Sequence, residues 1–382
     1  MKNILLNPLA FADIPLSFPF PTTPPAPDRT TIVALGKAAF TMTDRFLQEH
    51  PAYRASPLLL IAPECLGTVP ATLPPHAAIV YSTHPHLTEK SFSAGAALVS
   101  FVSSHAATHG AVIVLLSGGA SALVEYASDQ ARLVTEHRNL LYGGLPIEEI
   151  NRRRIAFSDI KGGKLTRYAP HATWFTFVMS DIPSPTGSYL VGSMPSWTPD
   201  NPRHHLIPVA DCSTIHAFCS ERIRRGGYHI IAERLFHIGT VAAWCTEIAA
   251  LIPTLGPREA LLFCGEPTLA VTVPNPGVGG RMAHLALMLL EHLDPHTSLF
   301  ALSSDGIDGN SPYAGVIIPP EDYRRMDHDH AIVSDHLARF DSYSFFEKFG
   351  CTLRTGYTGI NLNDVVAVVR EEQVTRTQAY PA

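Results

Sequence analysis

Strand-like apolar runs alternate with helical stretches through the first half of this chain, and polar clusters follow directly on the apolar runs. The pattern predicts strands near 31–35, 57–62, 78–82, 111–116 and 173–179, and helices over 38–49, 88–105, 130–142 and 146–157. Such alternation is the signature of an α/β protein built on an open, mostly parallel sheet covered by helices. Ligands of such sheets bind beyond the carboxyl ends of the strands. Attention therefore falls on Lys37, on Ser117-Gly118-Gly119-Ala120-Ser121 and on Ser180-Asp181, each of which follows an apolar run.

After helical stretches at 213–225 and 238–251 the pattern restarts. It gives an apolar run at 260–264, then Gly265-Glu266, a strand over 268–273, a glycine loop at 275–280, a helix over 281–292 and a strand over 298–303. That strand ends at Ser304-Asp305-Gly306-Ile307-Asp308-Gly309. A chain of 382 residues is longer than one core usually fills, so two domains are expected, 1–255 and 256–382, divided within Pro253-Thr254-Leu255-Gly256-Pro257. Pro15, Pro19, Pro21, Pro24, Pro25 and Pro27 make residues 15–28 an extended lead-in strap, because proline supplies no ladder donor and cannot continue a helix.

Charge and cysteine usage narrow the function classes. A net charge of −6 argues against a nucleic-acid or anionic-membrane partner, so any bound anion must rely on local cations. The cysteines Cys65, Cys212, Cys219, Cys245, Cys264 and Cys351 are scattered without a C-x-x-C pair, which reads as buried thiols in a reducing cytoplasm. Pro8, Asp13 and Pro15 come too early for a signal peptide, and no run of about 18 apolar residues follows. A cytoplasmic protein with a small-molecule partner is expected, and homodimerisation is left open.

Two cations stand at junctions where backbone N–H groups also point outward. Lys37 lies between the run 30–35 and a helix, in Gly36-Lys37-Ala38-Ala39, and Arg281 lies between Gly279-Gly280 and a helix. An anion is the natural guest of such a junction, and two of them from distant halves of the chain suggest a phosphate handled in a cleft between lobes. Ser117 to Ser121 reads either as a phosphate or carboxylate cradle or as a tight turn needing glycine. Neither G-x-x-x-x-G-K-[ST] nor G-x-G-x-x-G is present, so a nucleotide would be held by another scaffold. Asp181, Glu266, Asp305 and Asp308 could hold Mg²⁺ or accept a proton from an alcohol, or could serve as turn formers and helix caps. Lys161 and Lys164 read equally as helix capping or as an anion contact, and His84-Pro85-His86 and His328-Asp329-His330 lack a third ligand at metal spacing.

Taken in order, Gly36-Lys37-Ala38-Ala39, Ser117 to Leu123, Glu149-Ile150-Asn151 with Ile160 to Leu165, Ser180-Asp181, Gly265-Glu266-Pro267-Thr268, Gly279-Gly280-Arg281, Asp305 to Gly309, and Asp341-Ser342-Tyr343 with Thr358 to Asn361 resemble the motifs of bacterial glycerate 2-kinases. This class is also called the MOFRL or hydroxypyruvate-reductase-labelled glycerate kinases. The resemblance implies a Rossmann-like larger domain and a smaller C-terminal domain, with ATP, Mg²⁺ and D-glycerate meeting between them and the γ-phosphoryl group passing to the 2-hydroxyl. It places the functional Lys and Arg on Lys37 and Arg281. Asp181, by its place just beyond a strand end, is expected as the base or metal-side carboxylate. Ser117, Gly118, Gly119, Ser121, Glu266, Asp305, Asp308 and Asn361 are the residues expected to bind the cofactor. Ala156, Met194, Met282 and Pro312 depart from the family pattern, so the phosphoryl machinery is better preserved than the acid pocket. The alternative is a non-catalytic or substrate-shifted relative that binds a small molecule.

Overall fold

The computed structural model describes residues 8–66, 69–106, 110–131, 133–136, 147–326 and 328–372. They form two compact units. The N-terminal unit is Pro15–Asp211 with Gly359–Leu362, and the C-terminal unit is Cys212–Thr358 with residues 8–14 and 363–372.

The N-terminal unit carries strands β1 (Thr30–Leu35), β2 (Leu58–Pro63), β3 (Ala78–Ser82), β4 (Ala111–Ser117), β5 (Thr173–Met179) and β6 (His204–Ala210). All pairs are parallel and the order is β3-β2-β1-β4-β5-β6. Every residue of β1 and of β4 is buried, which is why these central strands are continuous apolar runs without polar alternation. Helices α1 (Ala39–Glu49), α2 (Glu89–His105), the short α3 (Ala120–Leu123) and α4 (Ile147–Phe157) connect or cover the strands. Thr88 starts α2 with a capping box, accepting from the Lys90 N–H while Ser91 accepts from Thr88. The helix expected over 130–142 is helical in its described residues, and 137–142 lie outside them.

The proline strap is extended and anchored by aromatics. Phe18 meets Phe46 and Phe177 edge-on at 5.6 Å, and Phe20 stacks on Tyr53 at 6.0 Å. Glu49 accepts the Phe18 N–H at 3.0 Å.

The C-terminal unit begins with α5 (Cys212–Arg225) and contains β7 (His229–Thr240), α6 (Val241–Leu251), β8 (Glu259–Thr268), α7 (Arg281–Leu289), β9 (Thr297–Ser303), β10 (Gly315–Ile318), β11 (Thr352–Leu353) and β12 (Asp364–Arg370). Its strand order is β11-β10-β9-β12-β8-β7. Here β7 and β8 are parallel, whereas β8-β12, β12-β9, β9-β10 and β10-β11 are antiparallel. Helices α6 and α7 bury Trp244, Ile248, Leu285 and Leu289 with Phe263 and Val366 of the sheet.

The boundary expected near 255 falls inside this unit. Strand β7 is hydrogen-bonded to β8, so everything from Cys212 onward up to Thr358 packs with the second sheet. The stretch expected to be helical from 238 is strand to Thr240, whose hydroxyl then accepts the Ala243 N–H at 3.1 Å and starts α6. The strand expected over 268–273 does not form, because β8 already ends at Thr268. Among the described residues no helix is long and apolar enough to cross a membrane.

Candidate active site

The strand order reverses between β1 and β4, and the loops leaving these two strands are stitched together. Gly36 has φ +124°, and a Cβ on it would lie 2.3 Å from Ser117 Oγ, so only glycine lets the strand ends approach this closely. The Lys37 N–H donates to Gly118 O at 2.9 Å and the Ala38 N–H to Ser117 Oγ at 3.0 Å. Ser117 Oγ–H in turn donates to Leu35 O at 3.3 Å. Ser117 is therefore committed to holding the loops, which corrects its expected role as a ligand contact. Ser121 is likewise engaged, its hydroxyl 3.0 Å from that of Ser193.

Two successive glycines then receive the chemistry. A Cβ on Gly118 would lie 1.9 Å from Asp181 Oδ2, and a Cβ on Gly119 would lie 3.2 Å from Lys37 Cγ and 3.1 Å from the His84 ring. Gly119 adopts φ +85°, the left-handed conformation glycine takes at no steric cost. Asn361 Nδ2–H donates to Asp181 Oδ2 at 3.1 Å. Lys37, Gly118, Gly119, Asp181 and Asn361 thus come together at the carboxyl ends of β1, β4 and β5, the switch point where doubly wound sheets take ligands. His84, after β3, which the sequence offers only as half of a metal-ligand pair lacking a third member, also borders this cluster.

Lys161 resolves differently from either sequence reading. Its ammonium is fully buried in an ion pair with Glu125 and also donates to Ser121 O at 2.9 Å. Burial pulls its pKa down while Glu125 opposes the shift. Lys164 follows the capping reading, donating to Ile155 O and Ser158 O at 2.6 Å each.

In the C-terminal unit the glycine-to-helix junction already holds an anion. Asp308 accepts the Met282 N–H at 3.1 Å and the Ala283 N–H at 2.9 Å, and Tyr343 Oη–H donates to the same carboxylate at 2.9 Å. Asp308 caps α7, so this helix start is not the open phosphate seat that was expected, and Asp308 also lines the cavity next to it. Burial pushes the Asp308 carboxyl up, against the pull of these three donors. Arg281 is paired too: Nε donates to Asp364 on β12 and Nη1 to Glu266 Oε1 at 2.9 Å. Asp364 is completely buried, which pushes it up to about 7 although Arg281 draws it down. Burial alone would lower the pKa of the guanidinium, but Asp364 and Glu266 raise it, so Arg281 is a fixed cation.

Asp305 accepts the Ile307 N–H at 3.0 Å and the Ser303 hydroxyl at 3.1 Å. It borders a cavity of about 600 Å³, together with Gly279, Gly280, Arg281, His284 and Phe340. The His284 and Phe340 rings stack at 5.2 Å and 16°. Among the described residues no three His, Cys, Asp or Glu side chains gather as a metal cluster. Mg²⁺ does not require one, since it is held by one or two carboxylates together with phosphate oxygens and water, and Asp181 beside Asn361 fits that donor set.

Residues 13–225 match the family described as a domain of unknown function, DUF4147, and residues 259–364 match the MOFRL family. A glycerate 2-kinase of Sulfurisphaera tokodaii is 30% identical over 91% of this chain and 90% of its own length. A D-glycerate 2-kinase of Thermotoga maritima is 28% identical over 67% of this chain and 71% of its own. In fold, the chain is similar to a crystal structure of glycerate kinase from Thermotoga maritima, with a TM-score of 0.75 at 24% identity over 90% of this chain and 92% of that one. A solved Pyrococcus horikoshii protein superposes with a TM-score of 0.73 at 21% identity, covering 96% and 95%.

Proposed function

The chain belongs to the glycerate 2-kinase family, and from that premise we propose that it transfers the γ-phosphoryl group of ATP to the 2-hydroxyl of D-glycerate or a closely related small 2-hydroxy acid. The observation that carries this reading is the gathering of Lys37, Gly118, Gly119 and Asp181 at the switch point of the parallel sheet. Phosphoryl transfer asks little covalent chemistry of a protein; it asks for positioning and for neutralisation of the charge on the transferred group. The Lys37 ammonium supplies a cation for that group, and the two glycines let Asp181 and Lys37 approach the backbone closely. Asp181, oriented by Asn361, is the carboxylate that would hold Mg²⁺, which when bound offsets phosphate charge. Arg281, in the C-terminal unit, is a cation kept charged by Asp364 and Glu266.

A coupled assay of ADP release against a panel of 2-hydroxy acids tests the reading. Turnover with D-glycerate or a near relative is expected, and a folded protein that turns over none of them refutes it. Lys37→Ala should lower kcat roughly 10²-fold or more, as removal of one preorganised charge donor does.

A further inference from the structure

We propose that the cavity of the C-terminal unit seats the purine base of the nucleotide, with Phe340 as its apolar wall and His284 as its hydrogen-bond donor. The identity of the ligand rests on the kinase reading above; the location does not.

Size comes first. A cavity of about 600 Å³ lies in the range of sites that enclose drug-sized ligands, and a three-carbon acid would leave most of it empty. Its lining includes Val271, which is 51% exposed and offers apolar surface at the edge of the site. A flat heterocycle uses that apolar surface.

Strain comes second. Phe340 has φ +52°, a left-handed conformation rare for a bulky side chain. The glycine loop holds it there. Gly277 N–H donates to Arg339 O at 2.9 Å, Tyr343 N–H donates to Val278 O at 3.0 Å, and a Cβ on Gly279 would lie 2.5 Å from Phe340 O. The fold therefore maintains an unfavourable backbone that sets the Phe340 ring at the cavity.

The third observation is an unsatisfied polar group. His284 is 9% exposed, lines the cavity, and has an enclosed Nδ1 with no hydrogen-bond partner among the described residues. A proton on Nδ1 would be a buried donor left unmade, so the favoured tautomer carries it on Nε2. Burial also lowers the His284 pKa, which keeps the ring neutral at pH 7. The group offered to a ligand is then a neutral Nε2–H, suited to an acceptor nitrogen of a purine.

Calorimetric titration of the full chain with ADP, and separately with inorganic pyrophosphate, tests the proposal. Phe340→Gly removes the ring while accepting the left-handed backbone, and His284→Phe keeps the stack while deleting the donor. Phe340→Gly should weaken ADP roughly tenfold or more, and His284→Phe roughly fivefold, with pyrophosphate binding unchanged in both. Unchanged ADP affinity in either folded variant overturns the proposal, as does an equal loss for ADP and pyrophosphate. The outcome separates from the kinase reading because no turnover is involved. A chain that binds ADP in this way but phosphorylates no acid refutes only the kinase reading, whereas normal turnover with undiminished ADP affinity in Phe340→Gly refutes only the cavity assignment.

Discussion

Replacing Asp308 separates a structural role from a catalytic one. The sequence places this carboxylate among the ligand contacts; the structure turns it inward onto α7. In Asp308→Ala the Met282 and Ala283 N–H groups lose their acceptor, a capping loss of about 1 kcal/mol. The buried Tyr343 hydroxyl loses this acceptor, costing about 1–3 kcal/mol, of which Ser311 beside it recovers part. Relief of burying the carboxyl itself, visible in its raised pKa, offsets part of this. The expected loss is about 3 kcal/mol, or a fall in Tm of roughly 6–12 °C at about 2–4 °C per kcal/mol for a unit of this size. Asp308→Asn keeps one acceptor oxygen and should lose about half as much.

Thermal unfolding followed by circular dichroism reads the stability, and turnover at 25 °C, well below the transition, reads the function. Asp308→Asn should retain turnover within a few-fold. Tyr343→Phe should cost about 1 kcal/mol alone and be less than additive with Asp308→Asn, since the two share one hydrogen bond. A variant with unchanged Tm that has lost turnover 10²-fold would refute the reasoning, because the carboxylate would then be acting on a ligand.

Lys161→Met leaves Glu125 buried and uncompensated and should cost about 3–5 kcal/mol by urea denaturation, part of which Glu125→Gln in the same chain restores. Arg281→Ala, which a cation projecting freely into a cleft would tolerate, should instead destabilise by about 3 kcal/mol because it abandons the buried Asp364; a stability change below about 1 kcal/mol would count against the ion pair. Asp364 binds its proton more tightly folded, at about 7, than its ordinary value of 3.8 allows unfolded, so its contribution is full below pH 4 and is lost as the pH rises to 7. Stability should fall across that window by up to about 1.4 kcal/mol per pH unit, and Asp364→Asn should flatten the profile. Met194→Gly relieves a left-handed backbone at φ +42° but removes a side chain 4% exposed, so a net loss of about 1–3 kcal/mol is expected, and a gain would show that strain outweighs burial there.

What the sequence made legible is what depends on neighbours along the chain. Runs such as 30–35 and 111–116 announce central parallel strands because burial on both faces removes any polar alternation, and the polar residues just beyond them mark the ligand end. Edge strands carry no such mark. In β7, exposed and half-buried residues alternate irregularly around register shifts, so its sequence reads as loop and helix. Side-chain roles fail for a different reason. Asp308 meets the amides of residues 25 and 26 positions away, and Lys161 meets a carboxylate 36 positions away, separations at which a lone charge in a sequence cannot reveal its partner.

The departures from the family pattern show the same limit and sharpen what can be concluded about substrate. Met282 is fully buried in the hydrophobic core of the C-terminal unit, and Met194 is buried in that of the N-terminal unit. Both side chains therefore belong to the cores in this chain. Ala156 and Pro312 are exposed. By contrast His284, in the same altered stretch as Met282, lines the cavity with an unsatisfied ring nitrogen. If the substrate preference of this chain differs from that of its relatives, the difference is to be sought at residues that face a cavity, and a count of altered motif positions overstates it.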